Sequence, residues 1–301
     1  MNVNPFSLPG RQDPRDPLDP LSGDPVEVLK QYVAVDNTQG AFRQFTRAVP
    51  DPSELMRGGQ LVVAMGMDGC GKSSLINRCA WQAQTDIEAA GLQSVAVDAR
   101  WQAGVTDSMD ARINQVAGYL RDALRRRGMV TIDDSDLQQL REKPATLYSR
   151  LSLHLADNVV VVVRLPWTER IEEVVEYAQY AHPGLLLFCE LRGKHGLDTV
   201  QSRLDRTDRG LPIVLEVGPL TRGHGRAFVE HRFQLSGHTN ERPLLEPDVV
   251  ERMISARRQS IREFQKFLYV MYESLQQSSN VPAAITWDYV LEFHYQMAKE
   301  L

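Results

Sequence analysis

The sequence predicts an α/β fold, a five-stranded parallel sheet covered by helices and followed by a C-terminal helical lid. Three observations predict it. A glycine-rich turn, Gly66 to Ser73, joins an apolar run directly to a helical pattern. Four further apolar runs of strand length alternate with helical segments, the arrangement of a doubly wound parallel sheet. Beyond Gly218 the strand-like runs cease and only helical spacing continues.

Bulk properties narrow the function classes. The chain has 301 residues, enough for one major domain and a smaller attachment, and a formal net charge of −5 with both signs dispersed. That balance argues against a protein built mainly for nucleic-acid or anionic-membrane contact. Cys70, Cys79 and Cys189 are odd in number and show no paired metal-ligand spacing, so they read as reduced thiols. No apolar stretch reaches the length of a membrane span, and the first residues lack a basic-then-apolar signal pattern. The expectation is a cytoplasmic protein with no membrane span.

Taken in order, residues 1–24 are dense in Pro and Asp without periodicity and are expected to form a disordered arm. Docking of Pro5, Phe6, Leu8 and Leu18 on this or another subunit is its alternative role. The core is expected over 25–218 and the lid over 219–301. The segments PVEVLKQYV and GAFRQFTRAV have helical spacing that turns Val28, Tyr32, Phe42 and Phe45 inward. Pro50 and Pro52 lead into a short SELMRGG helix. Strands are expected at 61–65, 93–98, 158–165, 184–191 and 211–217. NVVVVVRL, in the third of these, is apolar on both faces and implies a strand buried between helix layers. Helices are expected at 74–90, 108–127, 135–156 and 168–181, with a mixed segment before the fifth strand. The 108–127 helix carries Ile113, Val116, Leu120 and Leu124 on one stripe, and its tail, Arg125 to Arg127, puts cations at a helix C-terminus. In the lid, helical spacing covers GHGRAFVEHRF, 247–257, 260–277 and 286–299, and Ser260 with Glu263 forms a capping box that starts the third of them.

The chemistry is concentrated in QLVVAMGMDGCGKSSLINRC. Gly66, Gly71, Lys72 and Ser73 satisfy G-x-x-x-x-G-K-[ST], the phosphate-binding loop, in its required setting between strand and helix. Glycines let the backbone approach phosphate and turn successive N–H groups inward as an anion nest. Lys72 then reaches the β- and γ-phosphates, and the Ser73 hydroxyl ligates Mg²⁺ at the positive end of the following helix. The cofactor-binding residues expected are Gly66, Met67, Asp68, Gly69, Cys70, Gly71, Lys72, Ser73 and Ser74. No N-K-x-D element is present to read guanine, so the expected cofactors of this P-loop NTPase are ATP and Mg²⁺.

The whole arrangement resembles an AAA+ ATPase module and is most similar to Orc-like initiators and STAND or KAP-type NTPases. The resemblance is carried by RGGQLVVAMGMDGCGKSSLINR, by VAVDARWQAG at the second strand, by LEVGPLTRGHGRAFVEHRF ending in Arg232, and by ISARRQSIREFQKFLYVMYE. It spans about residues 55 to 300, and only the phosphate loop is highly specific. It implies that Arg262, with Arg257 and Arg258 as competitors, is the lid arginine that reaches the nucleotide. The planar fork of such a residue pairs with phosphate oxygens only when the lid is shut.

One departure from the family matters more. Its members end the third strand in one or two acids that hold the Mg²⁺ shell and activate the attacking water. Here Arg164, Leu165, Pro166 and Trp167 occupy that place, and Glu169 falls in the first turn of the next helix as a dipole-favoured charge. Strands of such a sheet deliver residues to the ligand crevice at their carboxyl ends, so Glu190 and Asp98 are the candidate catalytic acids. A missing acid slows the chemistry without abolishing binding.

The function expected is therefore an ATP-dependent switch or assembly component with weak or absent hydrolysis, engaging a protein partner or another copy of itself. Trp101 and Trp167, near strand ends, could meet a partner or the nucleotide, although core packing is the commoner explanation of each. Two alternatives stay open. One is an active ATPase using Glu190 or Asp98. The other is a nucleoside or nucleotide kinase of thymidylate-kinase type, since GMDGCGKSS is similar to their phosphate loop and Asp98 with Arg100 faintly resembles their Asp-Arg element, interrupted by Ala99. Orc-like proteins usually append a winged helix after the lid. Its lack here, with the negative charge, argues against nucleic-acid binding without a partner.

Overall fold

The computed structural model describes residues 4–7, 25–35, 37–104, 106–132, 140, 143, 145–193, 195–205, 211–237, 243–278 and 281–299. Among these the elements in chain order are α1 (Pro25–Leu29), α2 (Thr38–Ala48), α3 (Pro52–Leu55), β1 (Gln60–Met65), α4 (Lys72–Ala89), β2 (Gln93–Asp98), α5 (Met109–Arg126) and α6 (Thr146–His154). They continue with β3 (Val159–Arg164), α7 (Ile171–Gln179), β4 (Leu185–Leu191), α8 (Leu197–Leu204), β5 (Ile213–Glu216), α9 (His224–Leu235), β6 (Leu244–Leu245), α10 (Pro247–Ala256), α11 (Ile261–Gln277), β7 (Ala284–Ile285) and α12 (Trp287–Lys299). The chain forms two compact units: a sheet unit of Gly40–Gly66 with Lys72–Glu216, and a helical unit of Met1–Gln39, Met67–Gly71 and Val217–Leu301.

In the sheet unit five parallel strands lie in the order β2-β3-β4-β1-β5. Every residue of β1 and β4 is buried, as are the five valines of β3, which is why these strands read as continuous apolar runs and not as alternations. Each buried valine contributes about 1.5–3 kcal/mol, so β3 alone is a strong determinant of the sheet. Edge strand β2 buries only Val95 and Val97. On α5 the stripe Ile113, Val116, Leu120 and Leu124 is buried in the same core. Phe45 on α2 is fully buried and meets Phe188 of β4 at 5.9 Å between ring centroids, whereas Phe42 is half-buried beneath the Arg78 guanidinium. The helix expected over 135–156 is α6 alone among the described residues; 135–139, 141, 142 and 144 lie outside them.

The helical unit has its own core, in which Phe228 of α9, Val249 of α10 and Phe264, Leu268, Met271 and Tyr272 of α11 are buried. Both halves of the expected capping box are formed: the Ser260 hydroxyl accepts from the Glu263 N–H, and the Glu263 carboxylate accepts from the Ser260 N–H. Residues β6 and β7 pair in parallel as a two-stranded ribbon. Residues 25–39 group with these helices, although the sequence placed the start of the core at 25. The physical reason is that α1 ends at Leu29 and the following Val35 is buried with Phe228 and Leu268. Val28 and Tyr32 are only half-buried. Within the stretch expected to be a disordered arm, residues 4–7 are also packed in this core, with Phe6 fully buried; Leu8 and Leu18, and all of 8–24, lie outside the described residues. Among the described residues no helix is long and apolar enough to cross a membrane.

Candidate functional site

The carboxyl edge of the sheet collects the chemistry, because every parallel strand delivers its last residue there. β1 runs into Gly66, and α4 begins at Lys72. The Lys72 ammonium donates to the Gly66 carbonyl at 2.8 Å and is only 3% exposed, so a cation and a helix N-terminus share one place at the end of β1. That pairing favours an anion. Ser73, one residue on, donates its hydroxyl to Oε2 of Glu190. Glu190 lies on β4 opposite Ala64 of β1, which puts its carboxylate beside the start of α4.

The other Glu190 oxygen is held as well. Oε1 accepts from Arg192 Nε at 2.8 Å, and the Arg192 guanidinium lies 4.0 Å from the centroid of the Trp167 ring. Trp167 belongs to the segment after β3, which continues along the end of β4: the Thr168 N–H donates to the Glu190 carbonyl at 3.0 Å, and the Arg192 N–H to the Thr168 carbonyl at 2.8 Å. Beneath it is a buried ion pair. Arg112 Nε donates to both carboxylate oxygens of Glu173, at 3.1 and 3.0 Å, its Nη2 to the Trp167 carbonyl at 2.7 Å and its Nη1 to the Gly104 carbonyl at 2.6 Å. The Thr168 hydroxyl completes Glu173 at 2.9 Å. Both charges are essentially dry, and such a pair is tolerated only when its lone pairs and protons are used up in this way. It fixes the chain just past β3, where the sequence offered no acid.

Asp98, the second candidate acid, is engaged elsewhere. Arg100 holds both its oxygens, at 2.9 and 2.7 Å, and Arg164 at the end of β3 bridges it at 3.1 Å. Arg164 also donates to the Asn77 side-chain oxygen on α4 at 2.9 Å. Half-burial pushes the Asp98 carboxyl upward, but the Arg100 hydrogen bonds and the charges of Arg164 and Arg100 outweigh it and hold the group below the usual carboxylate range. Asp98 and Arg100, the faint kinase element, are thus partners of each other. Glu169 precedes α7 instead of lying in its first turn, and it is exposed. Cys189 and Cys79 are buried thiols whose ionisation is pushed up by burial, and Cys70 is also buried; none of the three is in a disulfide.

Residues Met67–Gly71 of the loop group with the helical unit. Gly69 and Gly71 have φ of +78° and +82°, the left-handed region that costs glycine least. The Gly69 carbonyl accepts from the Arg262 N–H at 3.2 Å, and a Cβ on Gly69 would stand 2.6 Å from Ser260 Oγ and 2.7 Å from Arg262 Cβ. The loop backbone therefore lies against the first turn of α11. Arg262 is on that turn and exposed; Asp68 is exposed, Met67 half-buried. Ser74 is half-buried in the first turn of α4. Arg257 bonds Glu263 at 3.0 Å, a surface pair, and Arg258 is exposed. Trp101 is 81% exposed and Trp167 is covered by Arg192.

Sequence reasoning brought Lys72, Ser73 and Glu190 together and missed Arg192, Arg112 and Glu173. Arg192 had a legible signal, since it stands two residues beyond Glu190, on the same side of an extended chain. Arg112 and Glu173 had none, being single charges on otherwise ordinary amphipathic helices.

No family model matches the chain, and no curated protein matches its sequence. Among solved structures, the chain is similar to the Orc1 protein of Aeropyrum pernix in complex with DNA, at 13% identity and a TM-score of 0.53, over 89% of this chain and 67% of that one. The Orc2 protein of the same organism, in ADPNP–ADP complexes, gives 13% identity and 0.49 over 86% and 67%. Domain III of the Thermotoga maritima replication initiation protein DnaA gives 11% and 0.45 over 91% and 96%. The first likeness shows the fold: this is an α/β P-loop NTPase fold with C-terminal helices. More narrowly, the fold is similar to that of the Orc1 protein.

Proposed function

We propose that the chain binds ATP with Mg²⁺ at the phosphate loop and uses the bound nucleotide as a switch for assembly, hydrolysing it weakly or not at all. The observation that carries this reading is the contact between Ser73 and Glu190. Of the two candidate acids, Glu190 touches Ser73 of the loop, while Asp98 is closed into an arginine pair. A hydroxyl and a carboxylate are hard oxygen donors, and Mg²⁺ is bound by one or two such protein groups together with phosphate and water. Ser73 and Glu190 fit that requirement. Lys72 would hold phosphate charge, and the Met67–Gly71 backbone would supply N–H donors. When bound, the metal would screen phosphate charge.

Slow hydrolysis follows from arithmetic of groups. A carboxylate that serves the metal is not free to take a proton from water, and at the end of β3 Arg164 stands where a second acid would do so. Loss of a general base costs about 10²–10⁴-fold in rate and little in ground-state binding. Arg262, on the turn of α11 against which Gly69 packs, remains the proposed lid arginine. The output is assigned to a protein partner or a second copy, in a cytoplasmic setting.

The test is nucleotide retention. Glu190→Gln is expected to weaken the Mg²⁺-dependent part of ATP retention by about tenfold, with the Mg²⁺-free part unchanged. Equal retention by parent and variant across Mg²⁺ concentrations would contradict the assignment.

A further inference from the structure

Arg192 stands where it decides what Glu190 is able to do. A carboxylate has two oxygens that can accept. Oε2 of Glu190 takes the Ser73 hydroxyl, the side on which a metal ion would be served, and Oε1 is the oxygen left for proton transfer. Arg192 Nε occupies that second oxygen at 2.8 Å. The carboxylate side chain is 10% exposed and the guanidinium side chain 31%, so this is not the fully solvated pair that water and rotamer entropy keep weak.

Arg192 is itself held at its edge, its face and its backbone. Nε is on Glu190, the guanidinium lies 4.0 Å from the Trp167 ring centroid, and the Arg192 N–H donates to the Thr168 carbonyl at 2.8 Å. Trp167 is pinned in turn: its carbonyl accepts from Arg112 Nη2 at 2.7 Å, and the next residue, Thr168, bridges in parallel to Leu191 of β4. A planar cation stacked on an aromatic ring and hydrogen-bonded along its edge keeps little freedom. We infer that Arg192 is a positioning residue that aims Glu190 at Ser73 and withholds the second carboxylate oxygen from water, so that bound ATP is kept and not cleaved. The inference rests on the reading of the phosphate loop as an ATP site and names what holds that site slow. With the clamp removed, Oε1 accepts a proton from a water whose oxygen bonds to the γ-phosphorus while the bond to the β,γ-bridging oxygen breaks. The electron pair of that bond leaves with ADP, and the proton on Glu190 returns to solvent.

The experiment compares the full chain with its Arg192→Met and Arg192→Lys variants, under protein excess with ATP and Mg²⁺, and scores phosphate released per bound ATP. Arg192→Met keeps an unbranched apolar stem and loses the cation. It is expected to cleave at least about tenfold faster than the parent, and adding Glu190→Gln should return it to the slow rate. Arg192→Lys, which offers an ammonium to Oε1, should restore slow cleavage. Damage to the fold would lower these rates; it would not raise one that a lysine then restores. A second readout needs no nucleotide. Glu190→Ala releases the guanidinium from its acid, so the emission of Trp167, taken as the difference from the same chain with Trp167→Phe, should shift in the nucleotide-free protein. Should Arg192→Met fail to fold by circular dichroism, Trp167→Leu, which takes away the ring that seats Arg192, is expected to speed cleavage in its place. ATP retained by the parent but cleaved no faster by Arg192→Met, or an unmoved Trp167 emission, would overturn the inference alone. No retention of ATP by the parent would overturn the reading beneath it.

Discussion

Asp98 and Arg164 stand opposite each other in the β2–β3 register and are bridged at 3.1 Å. The pair explains two sequence features together. The acid at the end of β2 is neutralised, and the end of β3 carries the cation that neutralises it. Of the two candidate acids, only Glu190 touches Ser73.

Asp98→Asn is expected to leave nucleotide retention within about twofold of the parent and to cost stability in a pH-dependent way. Because the folded-state carboxyl is held below its unfolded value near 3.9, its contribution is present above about pH 4 and is lost as pH falls through the lower folded value. The pair is partly solvated, so the difference at neutral pH should be about 1 kcal/mol. Urea titrations of both proteins from pH 3 to 7 check this; a gap that widens toward low pH would contradict it.

Glu173→Gln removes one charge of the dry Arg112 pair and is expected to cost about 3–5 kcal/mol in chemical denaturation. Since Arg112 also holds the Trp167 carbonyl, the emission of Trp167 should shift in the folded variant. A loss under 1 kcal/mol would show that the pair is not what anchors the segment after β3.

Tyr148 and Tyr177 present a contrasting case. Their hydroxyls are buried without a hydrogen-bond partner among the described residues, and burial raises the ionisation of both well above the ordinary phenol range. Tyr148→Phe and Tyr177→Phe, which delete only an unmatched polar atom, should be neutral or stabilising by up to about 1 kcal/mol in thermal unfolding. Destabilisation by more than that would reveal a partner for the hydroxyl.

These cases show what the sequence could and could not carry. Five strands were legible because continuous apolar runs such as LLLFCEL and NVVVVVRL have a length and composition that belong to buried strands, although the fifth is Ile213–Glu216 and not 211–217. The order β2-β3-β4-β1-β5 was not, since strand neighbours are chosen by packing across the sheet and leave no local mark. Lys72 and Ser73 were legible from spacing, and the capping box at Ser260 from two residues. The rejection of Asp98 as an acid was not, because it depends on Arg164, which is sixty-six positions away in sequence and one strand away in space. Phe6 was legible only as a minority role, because a single aromatic in a proline-rich stretch has no period to betray its burial.

Gly69→Ala tests the contact between the loop and α11. At φ +78° an alanine is strained, and its Cβ would press on Ser260 Oγ and Arg262 Cβ. A cost of about 2 kcal/mol or more is expected in urea unfolding, together with weaker nucleotide retention. Ser260→Ala alone loses the helix cap, about 1 kcal/mol, but in the double variant it removes one of the atoms in the way. The two losses should therefore sum to more than the double variant shows. Full additivity would mean that the loop backbone moves freely from α11.

The most direct test of the central claim is a single-turnover measurement with excess protein, γ-labelled ATP and Mg²⁺, following retained nucleotide and released phosphate together, with Lys72→Ala as the control. The account predicts retention of uncleaved ATP by the parent over many minutes and its loss in the Lys72→Ala protein. Rapid phosphate release by the parent, abolished by Glu190→Gln, would contradict it and make the chain an active hydrolase.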